Sequence, residues 1–447
     1  MKIKVYSILF VICFVLSLSF VLSSCETETA SAIVDAEINE NGELVLIYGD
    51  GTEQNLGVVV GRDGKDGKDG EDGKDGKDGK DGSLVIENQG TGVSEASAKG
   101  LRSAVSIVCH FETTVQLGGW RPGSTTTQEY SSAGSGVIYR MDPSEGDAFI
   151  ITNYHVVYDS GSNTANGVSD DIRVYLYGSE MEEKAIEAIY VGGSIYYDIA
   201  VLRVEDSEIL RDSGACASDV ADSDKVVVGN RAIAIGNAQG LGISSTSGIV
   251  SVDSEYITMT TADGKSEVSF RVMRVDTAVN SGNSGGGLYD DDGDLIGIVN
   301  AKIVYDGVEN IGYAIPSNVA VSIAENIIDY CYGTDEERVQ RALLGITVST
   351  SDSKAVYDPE TGLYTLTETV SVYEINTDSL AEGVLQAEDI LVSATVNGNT
   401  TRITRQYHII DMMLDVRAGD VITLNILRGG EEKTVSMTVT EDCLTAY

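Results

Sequence analysis

Between residues 101 and 333 the sequence consists of short apolar runs that are separated by Gly, Asn and Asp turn signals. Such runs are typical of β-strands joined by tight turns, and a long series of them is expected of a β-barrel. The end of this stretch differs, because Val319, Ile323 and Ile327 recur at helical spacing and Pro316 suits the start of a helix. The sequence therefore predicts a mainly β domain that closes with one helix.

The charge of the chain narrows its possible partners. Its 447 residues include 70 acidic and 30 basic side chains, and the formal net charge is −40. Phosphate backbones repel so acidic a protein, and we expect no nucleic-acid partner. Basic side chains are also too few to hold the chain at a membrane surface. The length leaves room for two or three domains.

The N-terminus has the pattern of a secretory signal. Two lysines precede an apolar run from Val5 to Leu22, and the small residues Ser23 and Ser24 then lead to Cys25. This ending resembles the bacterial lipobox, so we predict that residues 1–24 are a signal peptide and that Cys25 carries a lipid. An uncleaved membrane-anchor helix is the alternative. Both interpretations predict that the rest of the chain lies outside the cytoplasm and is held at a membrane.

Three short segments lie between the signal and the β-rich stretch. Residues 25–60 form a tether with two turn signals, which predict a small β-hairpin module. Residues 61–82 carry glycine at every third position, mostly with Lys-Asp between. This is the collagen pattern, but proline is absent, so a flexible charged linker is the alternative. Residues 83–100 are polar and rich in Ser, and we predict a linker.

Four cysteines follow Cys25, at Cys109, Cys216, Cys331 and Cys443. They are widely spaced and form no CxxC pair, which argues against a zinc site. Buried thiols and one or two disulfides both fit this spacing. The acidic run 290–294 lacks EF-hand spacing, and we expect neither a metal nor a cofactor.

Three segments supply a histidine, an aspartate and a serine in that chain order. His155 ends an apolar strand, Asp198 opens the apolar run 199–202, and Ser284 lies in the glycine-rich segment 280–286. Acyl transfer at a peptide bond needs a nucleophile, a base and an orienting acid. A lone carboxylate beside a buried strand also needs a partner, which an imidazole N–H would supply. We therefore predict that these three residues form a catalytic triad.

The glycines beside Ser284 permit a tight turn that exposes its hydroxyl. The backbone N–H groups of Gly282 and Ser284 would then converge on a developing oxyanion.

These segments resemble the trypsin-like serine proteases, and more narrowly the HtrA (Deg) proteases. Further similar segments are Val228–Asn237, Ser247–Ser251, Leu295–Ile298 and Gly312–Ser317. The resemblance covers most of 101–333 and implies a trypsin-like double β-barrel.

The resemblance also implies the role of each residue. Ser284 attacks the scissile carbonyl, His155 transfers the proton, and Asp198 holds the imidazole in the correct tautomer. Gly282, Asn283 and Ser284 form the oxyanion hole.

A substrate pocket follows from the same resemblance. Ala278, six residues before the nucleophile, would lie at its base, and Val299, Asn300 and Ala301 would line it. Because Ala278 is not an acid, a basic side chain would have no partner there, and we expect cleavage after small or medium apolar residues. The sequence departs from the HtrA pattern at Ser281 and Gly287, where proline is usual.

Residues 334–447 resemble the PDZ domain of HtrA proteases. Four residues, Leu343, Leu344, Gly345 and Ile346, would form its carboxylate-binding loop, whose N–H groups receive a peptide C-terminus. A β-sandwich spacer is the alternative.

The sequence thus predicts a membrane-anchored serine endopeptidase that cleaves unfolded or damaged proteins outside the cytoplasm. The resemblance implies a homotrimer, and a collagen-like stalk would also contain three chains. Two other functions are open. The first is a peptide-binding holdase with weak or no proteolysis, and the second is a stalk or adhesin that acts through residues 33–82.

Overall fold

The computed structural model divides the chain into two compact units, residues 1–86 and 87–447. The predicted signal peptide, Cys25 and the Gly-x-y repeat lie outside the residues that the structure describes. The described residues are 33–41, 43–49, 51–58, 92–116, 125–179, 182–301, 310–334, 339–359 and 362–446. Within them, no helix combines the length and the apolar character needed to cross a bilayer.

The first unit contains a three-stranded antiparallel sheet. Its strands are β1 (Ile33–Ile38), β2 (Glu43–Tyr48) and β3 (Glu53–Val58), in the order β1-β2-β3. The first turn forms because the side-chain oxygen of Asn39 accepts hydrogen bonds from the amides of Asn41 and Glu43. The predicted hairpin is therefore extended by a third strand.

The second unit begins with a closed six-stranded barrel. Its strands are β4 (Ala104–Gln116), β5 (Thr125–Asp142), β6 (Asp147–Thr152), β7 (Asp171–Leu176), β8 (Ile186–Ser194) and β9 (Ile199–Val204). The strand order is β4-β5-β6-β9-β8-β7, and β7 pairs back onto β4. Alternate side chains along each strand point inward, so that Ile107, Ile138, Ile150 and Leu202 pack in its core.

A second closed barrel follows. Its strands are β10 (Arg231–Gly236), β11 (Ser244–Thr260), β12 (Glu267–Val275), β13 (Gly287–Tyr289), β14 (Leu295–Val299) and β15 (Gly312–Pro316). They are ordered β10-β11-β12-β15-β14-β13, and β13 closes onto β10. The double β-barrel that the resemblance implied is confirmed, as is the mainly β fold, and each barrel has six strands.

Helices cover the barrels at a few places. They are α1 (Gly92–Leu101), α2 (Tyr154–Val157), α3 (Glu208–Arg211) and α4 (Ser317–Cys331). Short 3₁₀ turns occupy Glu182–Lys184, Ser223–Lys225 and Ala238–Gly240. The predicted closing helix is confirmed as α4, which buries Val319, Ile323 and Ile327.

The linker prediction for residues 83–100 is wrong for its last nine residues, because they belong to α1. This helix buries Ala96 and Gly100 against the second barrel. A side chain at position 100 would come within 2.7 Å of Ile235, so glycine lets the helix lie close to β10. The buried face is made of Ala and Gly, and it therefore produces little apolar periodicity.

The C-terminal part is a separate β-rich layer within the second unit. Its strands are β16 (Gln340–Ala342), β17 (Ile346–Asp358), β18 (Leu363–Ile375), β19 (Ile390–Val396), β20 (Asn399–Arg402), β21 (Val421–Arg428), β22 (Glu431–Thr438) and β23 (Leu444–Ala446). The main sheet has the order β17-β18-β19-β21-β22, β20 pairs with β19, and β16 pairs with β23. Helix α5 (Gln406–Asp411) and the 3₁₀ turns Met412–Leu414 and Glu441–Cys443 complete it. This arrangement is compatible with a PDZ-like domain.

Candidate active site

His155 and Asp198 are brought together by the pairing of β6 with β9. Thr152, the last residue of β6, pairs with Ala200 of β9. His155 lies three residues after Thr152, and Asp198 lies two residues before Ala200. The backbone carbonyl of Asp198 accepts a 2.8 Å hydrogen bond from the side-chain amide of Asn153 and a 3.1 Å bond from the Tyr154 amide. The backbone carbonyl of Asp198 therefore holds the first residue of the short helix α2.

Two hydrogen bonds join the Asp198 carboxylate to His155. The backbone N–H of His155 donates to Oδ1 at 2.9 Å, and Nδ1 of the imidazole lies 2.7 Å from Oδ2. A carboxylate only accepts, so Nδ1 carries the proton and Nε2 keeps its lone pair. This is the tautomer that a general base needs.

Asn300 completes the surroundings of the carboxylate. Its side-chain amide donates to Asp198 Oδ2 at 2.8 Å, and the asparagine is fully buried. Asp198 is itself 2% exposed and has a backbone φ of 54°. A buried carboxylate in a left-handed backbone conformation needs several donors to remain there, and His155 and Asn300 supply three. The sequence had assigned Asn300 to the substrate pocket, whereas the structure places its amide on the acid.

Ser284 lies in the loop that precedes β13, and it connects to the same network. Its Oγ accepts a 3.2 Å hydrogen bond from the backbone N–H of Ala301, the residue after Asn300. In the described part of the chain no hydrogen bond joins Ser284 to His155. Catalytic hydrogen bonds are often long in the absence of substrate, and rotation of the serine hydroxyl changes its partner.

The loop before Ser284 presents two amides for an oxyanion. The Ser281 carbonyl accepts a 2.7 Å bond from the Gln239 amide, which turns the Gly282 N–H the other way. The Asn283 amide is used, because it donates to the Asn280 carbonyl at 3.0 Å. Among the described residues no acceptor binds the Gly282 or Ser284 amides. In the described part of the chain these two N–H groups, unlike that of Asn283, are available to donate to an oxyanion.

Gly282 is required by this loop. Its φ is +95°, and a Cβ at this position would lie 2.2 Å from the Asn237 carbonyl oxygen. Both the backbone conformation and the close approach exclude a side chain.

The remaining residues of the predicted pocket differ in their surroundings. Ala278 is exposed, and its carbonyl accepts a 3.0 Å bond from the Thr246 hydroxyl. Val299 and Ala301 are buried, and Val299 exchanges backbone hydrogen bonds with Gly285 and Gly286. This ladder holds β14 beside the nucleophile loop.

The predicted carboxylate-binding loop lies at the start of β17. Leu343 is exposed and Leu344 is buried, while Gly345 has a φ of +73°. The Leu344 carbonyl accepts from the Ala381 amide and the Gly345 carbonyl from the Asn376 amide. Ile346 then begins β17, which pairs with β18 on one side in the described sheet.

Comparison with known proteins finds similarity across the double barrel and beyond it. The Trypsin-like peptidase domain family matches residues 134–298. The chain is 33% identical over 312 residues to the serine protease Do-like HtrA of Bacillus subtilis, which covers 68% of this chain and 62% of that protein. It is 30% identical over 377 residues to the serine protease Do-like HtrA of Lactococcus lactis subsp. cremoris, which covers 79% of this chain and 84% of that protein. A solved structure, HtrA-type protease AlgW with decapeptide, aligns with a TM-score of 0.48 and 24% identity, covering 79% of this chain and 98% of that chain.

Proposed function

This chain belongs to the Do-like HtrA family of serine proteases, and we propose that it is an endopeptidase that cleaves unfolded or damaged proteins outside the cytoplasm. The observation that carries the proposal is the orientation of His155 by Asp198, beside a serine loop with two available amides. A binding protein without turnover has no need for an imidazole held in this tautomer.

The reaction follows from these positions. Ser284 Oγ attacks the scissile carbonyl carbon while His155 Nε2 takes the hydroxyl proton, and the carbonyl electrons move to an oxyanion held by Gly282 and Ser284. Collapse of this intermediate breaks the C–N bond, and the imidazolium gives its proton to the leaving amine. A water molecule then attacks the ester by the same route and releases Ser284.

The substrate preference rests on the absence of an acid at Ala278. We expect small or medium apolar side chains before the cleaved bond, since an unpaired basic group would lose its hydration there. Unfolded chains expose such side chains, which supports a role in protein quality control.

Three further features belong to the proposal. The C-terminal domain would bind peptide C-termini through Leu343–Ile346 and the edge of β17 that pairs with no other strand of the described sheet. Cys25 would hold the chain at the membrane through a lipid, and the protein would assemble as a homotrimer. Their support is the sequence of the loop, the lipobox-like segment and the Gly-x-y repeat, respectively.

Labelling by a fluorophosphonate and cleavage of casein test the activity. Wild-type protein should be labelled and should cleave casein, and Ser284→Ala should lose both by about 10³-fold or more. Ser144→Ala is the control, because this serine is exposed in the turn between β5 and β6 and should keep full activity. Binding of unfolded casein without cleavage or labelling would favour the holdase.

A further inference from the structure

Ser135 lies on β5 of the first barrel, yet it contacts the nucleophile loop of the second. Its backbone N–H donates to the Ser284 carbonyl at 2.8 Å, and its hydroxyl donates to the Gly282 carbonyl at 2.7 Å. The same hydroxyl accepts a 2.7 Å hydrogen bond from the backbone N–H of Asn237. The residue is fully buried, so water does not compete for these bonds.

Every carbonyl of the segment 281–284 has a hydrogen-bond donor. The Ser281 carbonyl accepts from Gln239 and the Asn283 carbonyl from Gly286, and Ser135 supplies the donors for the other two. Each bonded carbonyl fixes the plane of its own peptide group, because the peptide unit is rigid. The available amides of Gly282 and Ser284 belong to the first and third of these peptide groups, and the Ser135 hydroxyl bonds the carbonyl of the second, which lies between them.

The Gly282 carbonyl is the weakest point of this arrangement. Glycine has wide backbone freedom, so the peptide that follows Gly282 can rotate unless its carbonyl is held. The Ser135 hydroxyl holds this carbonyl, and the bond from the Asn283 N–H to the Asn280 carbonyl holds the other side of the same peptide group. That hydroxyl also binds Asn237 at the end of β10, and it therefore links the two loops that border the oxyanion donors.

Ser135 also relates the two halves of the triad. His155 and Asp198 come from the first barrel, and Ser284 comes from the second. The Ser135 carbonyl accepts a 2.7 Å bond from the Thr152 hydroxyl, three residues before His155. Ser135 thus contacts both β6, the strand that leads to His155, and the loop that contains Ser284.

We propose that Ser135 is a positioning residue for this reaction, whose hydroxyl holds the peptide group between those of the Gly282 and Ser284 amides, so that the two oxyanion donors have their relative orientation before substrate binds. The inference rests on the proposed proteolysis. Loss of the hydroxyl should weaken binding of the transition state more than binding of the peptide substrate.

The test compares Ser135→Ala with Ser106→Ala. Ser106 is the matched control, because it is a buried serine that pairs with Ser135 across β4 and β5 and accepts from the Asn237 side chain without contacting the loop. Steady-state cleavage of a chromogenic peptide gives kcat and KM. Binding of a peptide boronic acid with a valine side chain reports on the oxyanion donors without turnover.

Ser135→Ala should lower kcat and boronate affinity together by about ten-fold or more, with KM changed less than about three-fold, because the two buried hydrogen bonds of the hydroxyl are lost. Ser106→Ala should leave kcat and boronate affinity within about two-fold of wild type. Ser135→Thr, which keeps the hydroxyl, should recover a large part of the boronate affinity.

Equal losses in both alanine variants, or a Ser135→Ala protein that keeps wild-type boronate affinity, would overturn the inference. A wild-type protein that binds the boronate but cleaves no peptide would overturn the proposed function instead. In that case the boronate affinities of the variants still decide the role of Ser135.

Discussion

The side-chain amide of Asn300 donates to Oδ2 of Asp198, the same oxygen that binds His155 Nδ1. The acid is therefore held from two directions, by the base in its own barrel and by an asparagine after β14 of the other barrel. Because the carboxylate is buried, removal of one donor leaves an incompletely paired charge rather than a hydrated one.

Asn300→Ala should lower kcat/KM by about 10–100-fold, since a hydrogen bond to a charged group contributes about 1.5–3 kcal/mol. Hydrolysis of a chromogenic peptide measures the loss. Asn318→Ala is the control, because Asn318 makes the same kind of 2.8 Å bond to Asp222 at the surface and should keep wild-type kcat/KM. Wild-type activity in Asn300→Ala would contradict the role of this residue.

The contact of His155 with Asp198 was predictable from sequence because each residue lies in a short local segment with its own pattern. The role of Asn300 was not, since its partner lies 102 residues away and the contact depends on how the barrels meet. The resemblance to HtrA proteases had implied a place for it in the pocket. The oxyanion donors were predicted as three, and the third is lost because the Asn283 amide turns back to Asn280.

In the fold, too, local sequence signals predict some elements and contacts between distant residues determine others. The β-rich character of the domain and helix α4 follow from apolar runs, turn residues and helical spacing, which are local signals, whereas the double barrel was implied by the resemblance to trypsin-like proteases. Helix α1 has no such signal, since it packs through Ala96 and Gly100. Its position is fixed instead by contacts distant in sequence, including the 2.8 Å ion pair of Lys99 with Asp219.

Gly285→Ala should be destabilising and inactive. Gly285 has a φ of +83°, and a Cβ there would lie 2.2 Å from the Ser135 carbonyl oxygen and 2.3 Å from the Thr152 hydroxyl. The strain and the clash should lower the free energy of unfolding by on the order of 2–4 kcal/mol. Thermal melting and fluorophosphonate labelling measure both effects. Gly214→Ala, where a Cβ would meet open space, should match wild type, and a stable, active Gly285→Ala would refute the geometry.

Cys109 should resist thiol reagents in the folded protein. The residue is fully buried in the first barrel, and this burial raises the pKa of its thiol to about 12. The reactive species is the thiolate, so a thiol reagent such as DTNB should modify Cys216 and Cys443, which are partly exposed, long before Cys109. Peptide mapping of the modified protein identifies the sites. Rapid modification of Cys109 under native conditions would show that the barrel opens.

A buried ion pair joins the C-terminal domain to the second barrel. Arg271 of β12 is 2% exposed, and its Nη1 lies 2.7 Å from Asp411 Oδ2 in α5 and 2.8 Å from Asp224 Oδ1. The guanidinium also stacks on the Tyr407 ring, 3.5 Å from its centroid. Burial raises the pKa of Asp411 to about 6, and Arg271 offsets this only in part. The domain interface therefore contains a carboxyl that titrates at mildly acidic pH.

Because its pKa is raised, Asp411 should make the folded protein, with its C-terminal domain docked, more stable at acidic pH than at neutral pH. The folded protein binds this proton below about pH 6 and the unfolded chain only below about pH 3.9. The contribution to stability, roughly 3 kcal/mol at most, is thus complete below pH 3.9 and is lost as the pH rises through 6. His408 opposes it, because burial lowers the pKa of its imidazole. Urea unfolding of wild type and Asp411→Asn at pH 5 and pH 7 measures the contribution of this carboxyl. The variant should lose less stability than wild type between pH 5 and pH 7. Identical losses would exclude Asp411 as the titrating group.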